Sequence, residues 1–197
     1  MDLREYSGRP YSVVMKRLLV FALFFAAFCA AAQEPGGAAE YFANLPLVDQ
    51  DGRSVDLYSL MKDRTVVMNT FFATCTGSCP VATRALVAVQ NEYADHVGKD
   101  LVLLSITVDP ATDTPPKLKE YAKAIGAKSG WYFLTGSKEQ VDAALRKIGQ
   151  YVERREEHQN VMIAGNLKTG LWKKIFALAP SKEILPVVDS VLNDNGK

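Results

Sequence analysis

The sequence predicts an α/β domain in which a central mixed sheet carries helices on both faces and a late β-hairpin at one edge. Three observations carry that reading. The β-branched and aromatic runs at 64–72 and 101–108 are continuous rather than alternating, as in strands buried on both faces. Segments with apolar residues at helical spacing follow each of them, which is the pattern of βαβ units. Near the end, two short apolar runs flank a glycine-bounded turn and add an antiparallel pair.

The elements follow in order. Residues 45–57 contain Asp49-Gln50-Asp51-Gly52-Arg53, a turn between two short extended pieces. Arg64 to Phe72 reads as a central strand. Pro80 to Val97 places Val81, Leu86, Val89, Tyr93 and Val97 at helical spacing, and Gly98 suits the position just past a helix end. Leu101 to Val108 is the second long strand. Asp113-Thr114-Pro115-Pro116 opens a helix that runs through Ile125, with Gly126 at its end. Trp131 to Leu134 is a short strand. Ser137 and Gln140 have capping-box spacing and start a helix reaching about Tyr151. Gln159 to Ala164 and Leu171 to Leu178 form the hairpin around Gly165 to Gly170, and Ser181 to Leu192 is the closing helix. Trp131, Trp172 and the Phe71-Phe72 pair read as core. No internal repeat is present.

The 197 residues, 48% of them hydrophobic, suit one domain with appendages. A net charge of +1 supplies no basic face and argues against nucleic-acid binding. Lys16-Arg17 precede an unbroken apolar run from Leu18 to Ala32 that ends in Ala30-Ala31-Ala32. A basic start, an apolar centre and a small-residue end describe a secretory signal. The run is shorter than the roughly 18–20 residues that span a bilayer comfortably. Residues 1–32 are therefore expected to be a signal peptide cleaved after Ala32, with Met15 as an alternative start. An uncleaved segment would anchor the protein in the inner membrane. Phe28 is bulky in front of Cys29, which argues against lipidation there. Residues 33–44 read as a flexible linker and 45–197 as the folded domain. Export places that domain in the periplasm, where disulfides persist.

Cys75 and Cys79 are then the two cysteines of the folded part, in Cys75-Thr76-Gly77-Ser78-Cys79-Pro80. They lie at the turn from the first long strand into its helix, and this placement makes the α/β class thioredoxin-like. Pro80 disfavours helical geometry at the residue before it and is favoured in a first helical turn. Cys79 is expected at the helix start, where unpaired N–H groups and the helix dipole favour a thiolate. Gly77 frees the loop to bring the two sulfurs together. The pair suits three chemistries: a structural disulfide, a redox dithiol, or two ligands for a soft ion. A distant imidazole, His158, would complete a three-ligand site for Cu(I), Cu(II) or Zn(II). No proline occurs between Pro116 and Pro180. The loop that carries a cis-proline in thioredoxins is therefore free to hold His158 instead. A loop histidine is also commonly just solvated. His96, at the far end of the same helix, is explained by the helix dipole and is excluded as a ligand. Asp109 and Asp113 read first as turn and cap residues. Asp109, at a strand end beside the cysteine loop, is also a candidate to orient His158 from behind. Arg84 invites comparison with peroxiredoxins, whose catalytic cysteine is accompanied by a threonine and an arginine, but the dithiol spacing does not match.

From about Leu47 onward the chain resembles the Sco/SenC family of thioredoxin-like copper proteins. The features are Cys75-x-x-x-Cys79-Pro80 after an aromatic strand end, Ile106-Thr107-Val108-Asp109-Pro110 with Asp113-Thr114-Pro115, and His158 before an aliphatic strand. The resemblance implies a copper ion, Cu(I) or Cu(II), held by Cys75, Cys79 and His158. It implies delivery to the dinuclear copper site of cytochrome c oxidase, so the expected partners are the copper-receiving oxidase subunit or another copper chaperone. It also implies that Cys75 and Cys79 can cycle between dithiol and disulfide. The expected position of Cys79 at a helix N-terminus carries the alternative function, a thiol-disulfide oxidoreductase that reduces cysteines of a copper-receiving partner. The chain departs from the family in its Thr76-Gly77-Ser78 loop, where proline and an acidic residue are common, and in Glu157, where many members have aspartate. The Gly165-to-Gly170 hairpin with Trp172-Lys173-Lys174 resembles a subgroup feature.

Overall fold

A computed structural model describes residues 36–196. The expected signal segment lies outside the described residues. Among them, no helix is long and apolar enough to cross a membrane.

The five-stranded sheet is built from β3 (Thr65–Phe71), β4 (Leu101–Thr107), β5 (Trp131–Leu134), β6 (Val161–Asn166) and β7 (Trp172–Phe176), in spatial order β5-β4-β3-β6-β7. β3, β4 and β5 run parallel, while β6 is antiparallel to β3 and β7 to β6. A separate antiparallel pair, β1 (Pro46–Val48) and β2 (Ser54–Asp56), encloses the expected Asp49–Arg53 turn. All seven residues of both β3 and β4 are buried, which is why their sequences do not alternate.

Side chains of the central strands divide between two cores. Val67, Phe71, Leu101, Leu103, Trp131 and Phe133 face one side. There they meet α3 (Cys79–Glu92), α4 (Pro115–Ala124) and α6 (Ser181–Leu192). Val66, Met68, Val102, Leu104 and Ile106 face the other side. They meet α1 (Gly36–Phe42), α2 (Leu57–Met61) and α5 (Lys138–Lys147). Fully buried side chains such as Leu86, Val89 and Leu145 each contribute about 1.5–3 kcal/mol relative to exposure. One buried polar chain crosses the first core: Trp131 Nε1 donates to Ser105 Oγ, which donates to Asn69 Oδ1.

Several expectations shift. Residues 36–42 of the expected linker form α1, and Phe42 is buried against the second core. Helix α3 ends at Glu92 rather than Val97, because the chain turns at Tyr93 and His96 pairs with Asp100 beyond it. The capping box at α5 is present in both directions. Strand β6 runs to Asn166, two residues beyond the expected end at Ala164, and its pairing with β7 reaches Gly165, where the Trp172 ring lies across the glycine. A Cβ at Gly165 would sit 2.0 Å from Trp172 Cε3. Trp172 itself is not core: it is 37% exposed because β7 is the sheet edge.

Gly130 shows a backbone constraint directly. Its φ is +93°, and a Cβ there would lie 2.3 Å from the Gly98 nitrogen. Gly130→Ala is expected to destabilise by about 3 kcal/mol from left-handed strain plus overpacking. That corresponds to a fall in Tm of roughly 6–12 °C for a domain this size, read by calorimetry. An unchanged Tm would mean that the two glycines do not pack as described.

Candidate metal centre

The site forms where the parallel strands end. β3 stops at Phe71, and the chain passes through Phe72, Ala73 and Thr74 to Cys75. Two backbone anchors shape this passage. Cys75 N donates to the Phe72 carbonyl at 3.1 Å, and Ala73 N donates to Asp113 Oδ2 at 3.0 Å. Asp113 also accepts a 2.6 Å hydrogen bond from Thr107 Oγ1, so one fully buried carboxyl ties the end of β4 to the cysteine loop. The cap of α4 is Thr114, which leaves Asp113 free for this task. Reading Asp113 as a cap missed it, and the sequence carries no separate signal for a carboxyl aimed inward at the preceding strand.

Cys79 is the first residue of α3, with Ser78 as its cap and Pro80 next, close to expectation. Its thiol does not behave as a helix-start thiolate. Burial and the neighbouring Cys75 thiol push it up to about 12, and these outweigh the backbone hydrogen bonds that favour the charge. The helix-dipole expectation loses because the side chain points into the core, where Cys79 is 3% exposed. Cys75 is half-buried at the mouth, and both cysteines are free thiols. A neutral buried Cys79 beside a more exposed Cys75 predicts ordered alkylation. Iodoacetamide at pH 8 is expected to label Cys75 at least ~10-fold faster, as peptide mapping would read. Equal labelling would contradict the described burial.

His158 follows a single turn of 3₁₀-helix, Arg155–Glu157. Its Nδ1 lies 2.8 Å from the Arg155 carbonyl. A carbonyl only accepts, so Nδ1 is the donor in this contact and Nε2 is the ring nitrogen turned toward the cysteines. That Nε2 stands 3.2 Å from Cys79 Sγ. The Phe72 ring meets the imidazole edge-on, with centroids 5.4 Å apart. Ligand atoms of Cys75, Cys79 and His158 all lie within 4.8 Å of one another. A strand-to-helix turn and a loop 79 residues away therefore converge on one point. Two thiols and an imidazole nitrogen form a donor set for a soft or borderline ion, which would displace the thiol protons on binding.

Among the described residues Asp109 forms no hydrogen bond with the imidazole. Its carboxylate pairs with the Arg155 guanidinium, and Arg155 supplies the carbonyl that orients His158. Asp109 thus lies one step further out than the sequence reading placed it. Burial opposes its charge, but hydrogen bonds from Arg155 and Thr112 prevail and hold the carboxyl below its ordinary value. His96 lies beyond the far end of α3, where it pairs with Asp100 instead of sitting in the last helical turn as expected.

Comparisons with known proteins agree on one family. The family model described as SCO1/SenC matches residues 33–167. The SCO1 protein homolog of Bacillus subtilis is 29% identical over 118 residues, 58% of this chain and 60% of that protein. Among solved structures, BsSco is 26% identical with a TM-score of 0.62 over 75% of this chain and 90% of that one. That structure concerns a disulfide switch in a member of the Sco family of cytochrome c oxidase assembly proteins. Arabidopsis thaliana ScoI, solved with copper bound, superposes with a TM-score of 0.61 at 24% identity over 75% and 92% of the two chains, a likeness of fold. The match spans 33%, 60% and 50% of the length of three curated relatives.

Proposed function

The chain belongs to the SCO1/SenC family, and on that premise we propose that it is an exported copper carrier whose cargo is held by Cys75, Cys79 and His158. The observation that supports this reading most is the convergence of the three donor atoms within 4.8 Å. Two sulfurs and one imidazole nitrogen favour copper over hard ions that take oxygen ligands. The carrier acts in the periplasm after export by the 1–32 signal, and it delivers copper toward the dinuclear site of cytochrome c oxidase. Its partners are the copper-receiving oxidase subunit or another copper chaperone. Copper is cargo here, so the site must release it as well as hold it. Thiol–disulfide exchange with a partner disulfide, which is reduced to two thiols as the Cys75–Cys79 bond closes, removes both sulfur donors at once and leaves His158 alone, which suits release.

Metal analysis of the full chain tests this. The reduced protein is expected to take one copper per chain and, with Cu(II), to show a sulfur-to-copper charge-transfer band. The oxidised protein is expected to take none at this site. Equal copper uptake by the two forms would remove Cys75 and Cys79 from the ligand set.

A second reading, thiol-disulfide exchange on a copper-receiving partner, is favoured by one feature. The half-buried Cys75 beside the buried Cys79 has the asymmetry of an attacking and a resolving thiol. Exchange of this kind needs no metal and no imidazole, so its rate would be the same in His158→Ala.

A further inference from the structure

We propose that the groove between α3 and α4 is the docking channel for the copper-receiving polypeptide, and that it takes an extended, cysteine-bearing segment with an acidic side chain. The inference rests on the copper-carrier reading above and names what that site hands its cargo to. The groove holds about 380 Å³ and is lined by Cys75, Pro80, Arg84, Val87, Tyr121 and Ile125. It opens directly on Cys75, so the channel and the candidate metal centre share a residue.

Three features fix the occupant. The lining is mostly apolar, with Pro80, Val87 and Ile125 beside the Tyr121 ring. This suits a segment that presents apolar side chains. Pro80, Arg84 and Val87 recur at helical spacing along one face of α3, so the channel is linear and matches an extended chain. Arg84 is the charged residue of the lining. It is exposed and forms no ion pair with a described residue, whereas the Tyr121 hydroxyl is already engaged with Thr83 Oγ1 at 2.8 Å. An acidic side chain on the incoming segment would find Arg84 free.

The order of ligand exchange follows from exposure. Cys79 is buried against His158 while Cys75 faces the groove, so the incoming thiol meets Cys75 first. The new sulfur–copper bond forms as the Cys75–copper bond breaks. The proton leaving the incoming thiol ends on Cys75, and copper keeps its oxidation state.

The test is transfer of Cu(I) from the loaded full chain to a synthetic two-cysteine peptide with apolar flanks and one glutamate, followed by rapid-mixing absorption. Arg84→Glu is expected to slow transfer about 10-fold while leaving Cu(I) affinity unchanged. A peptide with lysine in place of glutamate should restore the rate to the variant and slow the unsubstituted protein. Transfer to an uncharged small thiol such as 2-mercaptoethanol should not distinguish the two proteins. Equal rates in all four protein–peptide pairs would overturn the docking channel and leave the copper-carrier reading intact. If the unsubstituted protein does not load Cu(I) at all, the carrier reading fails and takes this proposal with it.

Discussion

Replacing His158 by alanine is expected to abolish the sulfur-to-Cu(II) charge-transfer band and to lower Cu(II) affinity by at least about 100-fold. Loss of an outer partner that merely orients a ligand costs roughly 10–100-fold, so loss of the ligand itself should reach the top of that range or exceed it. Cu(I) affinity should fall less, because two thiolates still provide a soft pair while Cu(II) needs the borderline nitrogen more. Stability should barely change, since the ring is only half-buried and the Arg155 carbonyl it leaves behind lies in an exposed pair. Asp109→Asn provides the graded control. It weakens the hold on Arg155 and, through the Arg155 carbonyl, the orientation of the imidazole. A loss of about 10-fold with the band retained is expected there. A His158→Ala variant with unchanged spectrum and affinity would reduce the site to two cysteines.

The contrast between these variants shows what sequence reasoning could reach. The candidate cysteine pair is legible because its chemistry is local. Cys75, Cys79 and Pro80 sit in one short motif whose geometry proline and the strand-to-helix turn impose. The continuous apolar runs of β3 and β4 likewise announce strands buried on both faces. His158 needed more, since nothing in a single chain says that a loop after α5 returns to a loop after β3. The resemblance supplied that link, and the fold brings the residues together. Less legible were effects set by competition. The dipole argument at Cys79 is sound for an exposed thiol, but here the side chain enters the core and burial wins. Trp172 has the composition of a core residue, yet β7 ends the sheet and leaves it half-covered. Residues 36–42 are rich in glycine and alanine and read as linker, whereas Phe42 has an apolar site to fill and holds the segment helical. In each case the deciding term is a partner distant in sequence.

Asp113 is where such a distant partner matters most. Asp113→Ala is expected to destabilise the domain by about 3 kcal/mol and to loosen the cysteine loop. The carboxyl is fully buried and accepts from Thr107 Oγ1 and Ala73 N, so alanine would strand one buried hydroxyl donor and one part-buried amide donor. Each stranded donor costs about 1–3 kcal/mol. Ala73 stands two residues before Cys75, so the same change should weaken copper binding without touching a ligand. Asp113→Asn separates the roles, because its amide oxygen can still accept both hydrogen bonds while carrying no charge. The acid itself predicts a pH signature. Burial raises the native carboxyl above its ordinary value, and the hydrogen bonds from Thr107 and Ala73 only partly offset this. Its other oxygen, Oδ1, is buried without a protein partner, as befits a group whose charged form is poorly compensated. The native state therefore holds this proton more tightly than the unfolded chain does. The resulting contribution is complete below the ordinary aspartate value near 3.9 and is lost as pH rises through the raised native value. Compared with Asp113→Asn, the unsubstituted protein should gain stability as pH falls from neutral toward about 4, read as denaturant midpoints at several pH values. If it loses ground to the asparagine variant on acidification instead, the ionised carboxylate is the stabilising form, and the clamp on the cysteine loop works through charge rather than through a neutral acid.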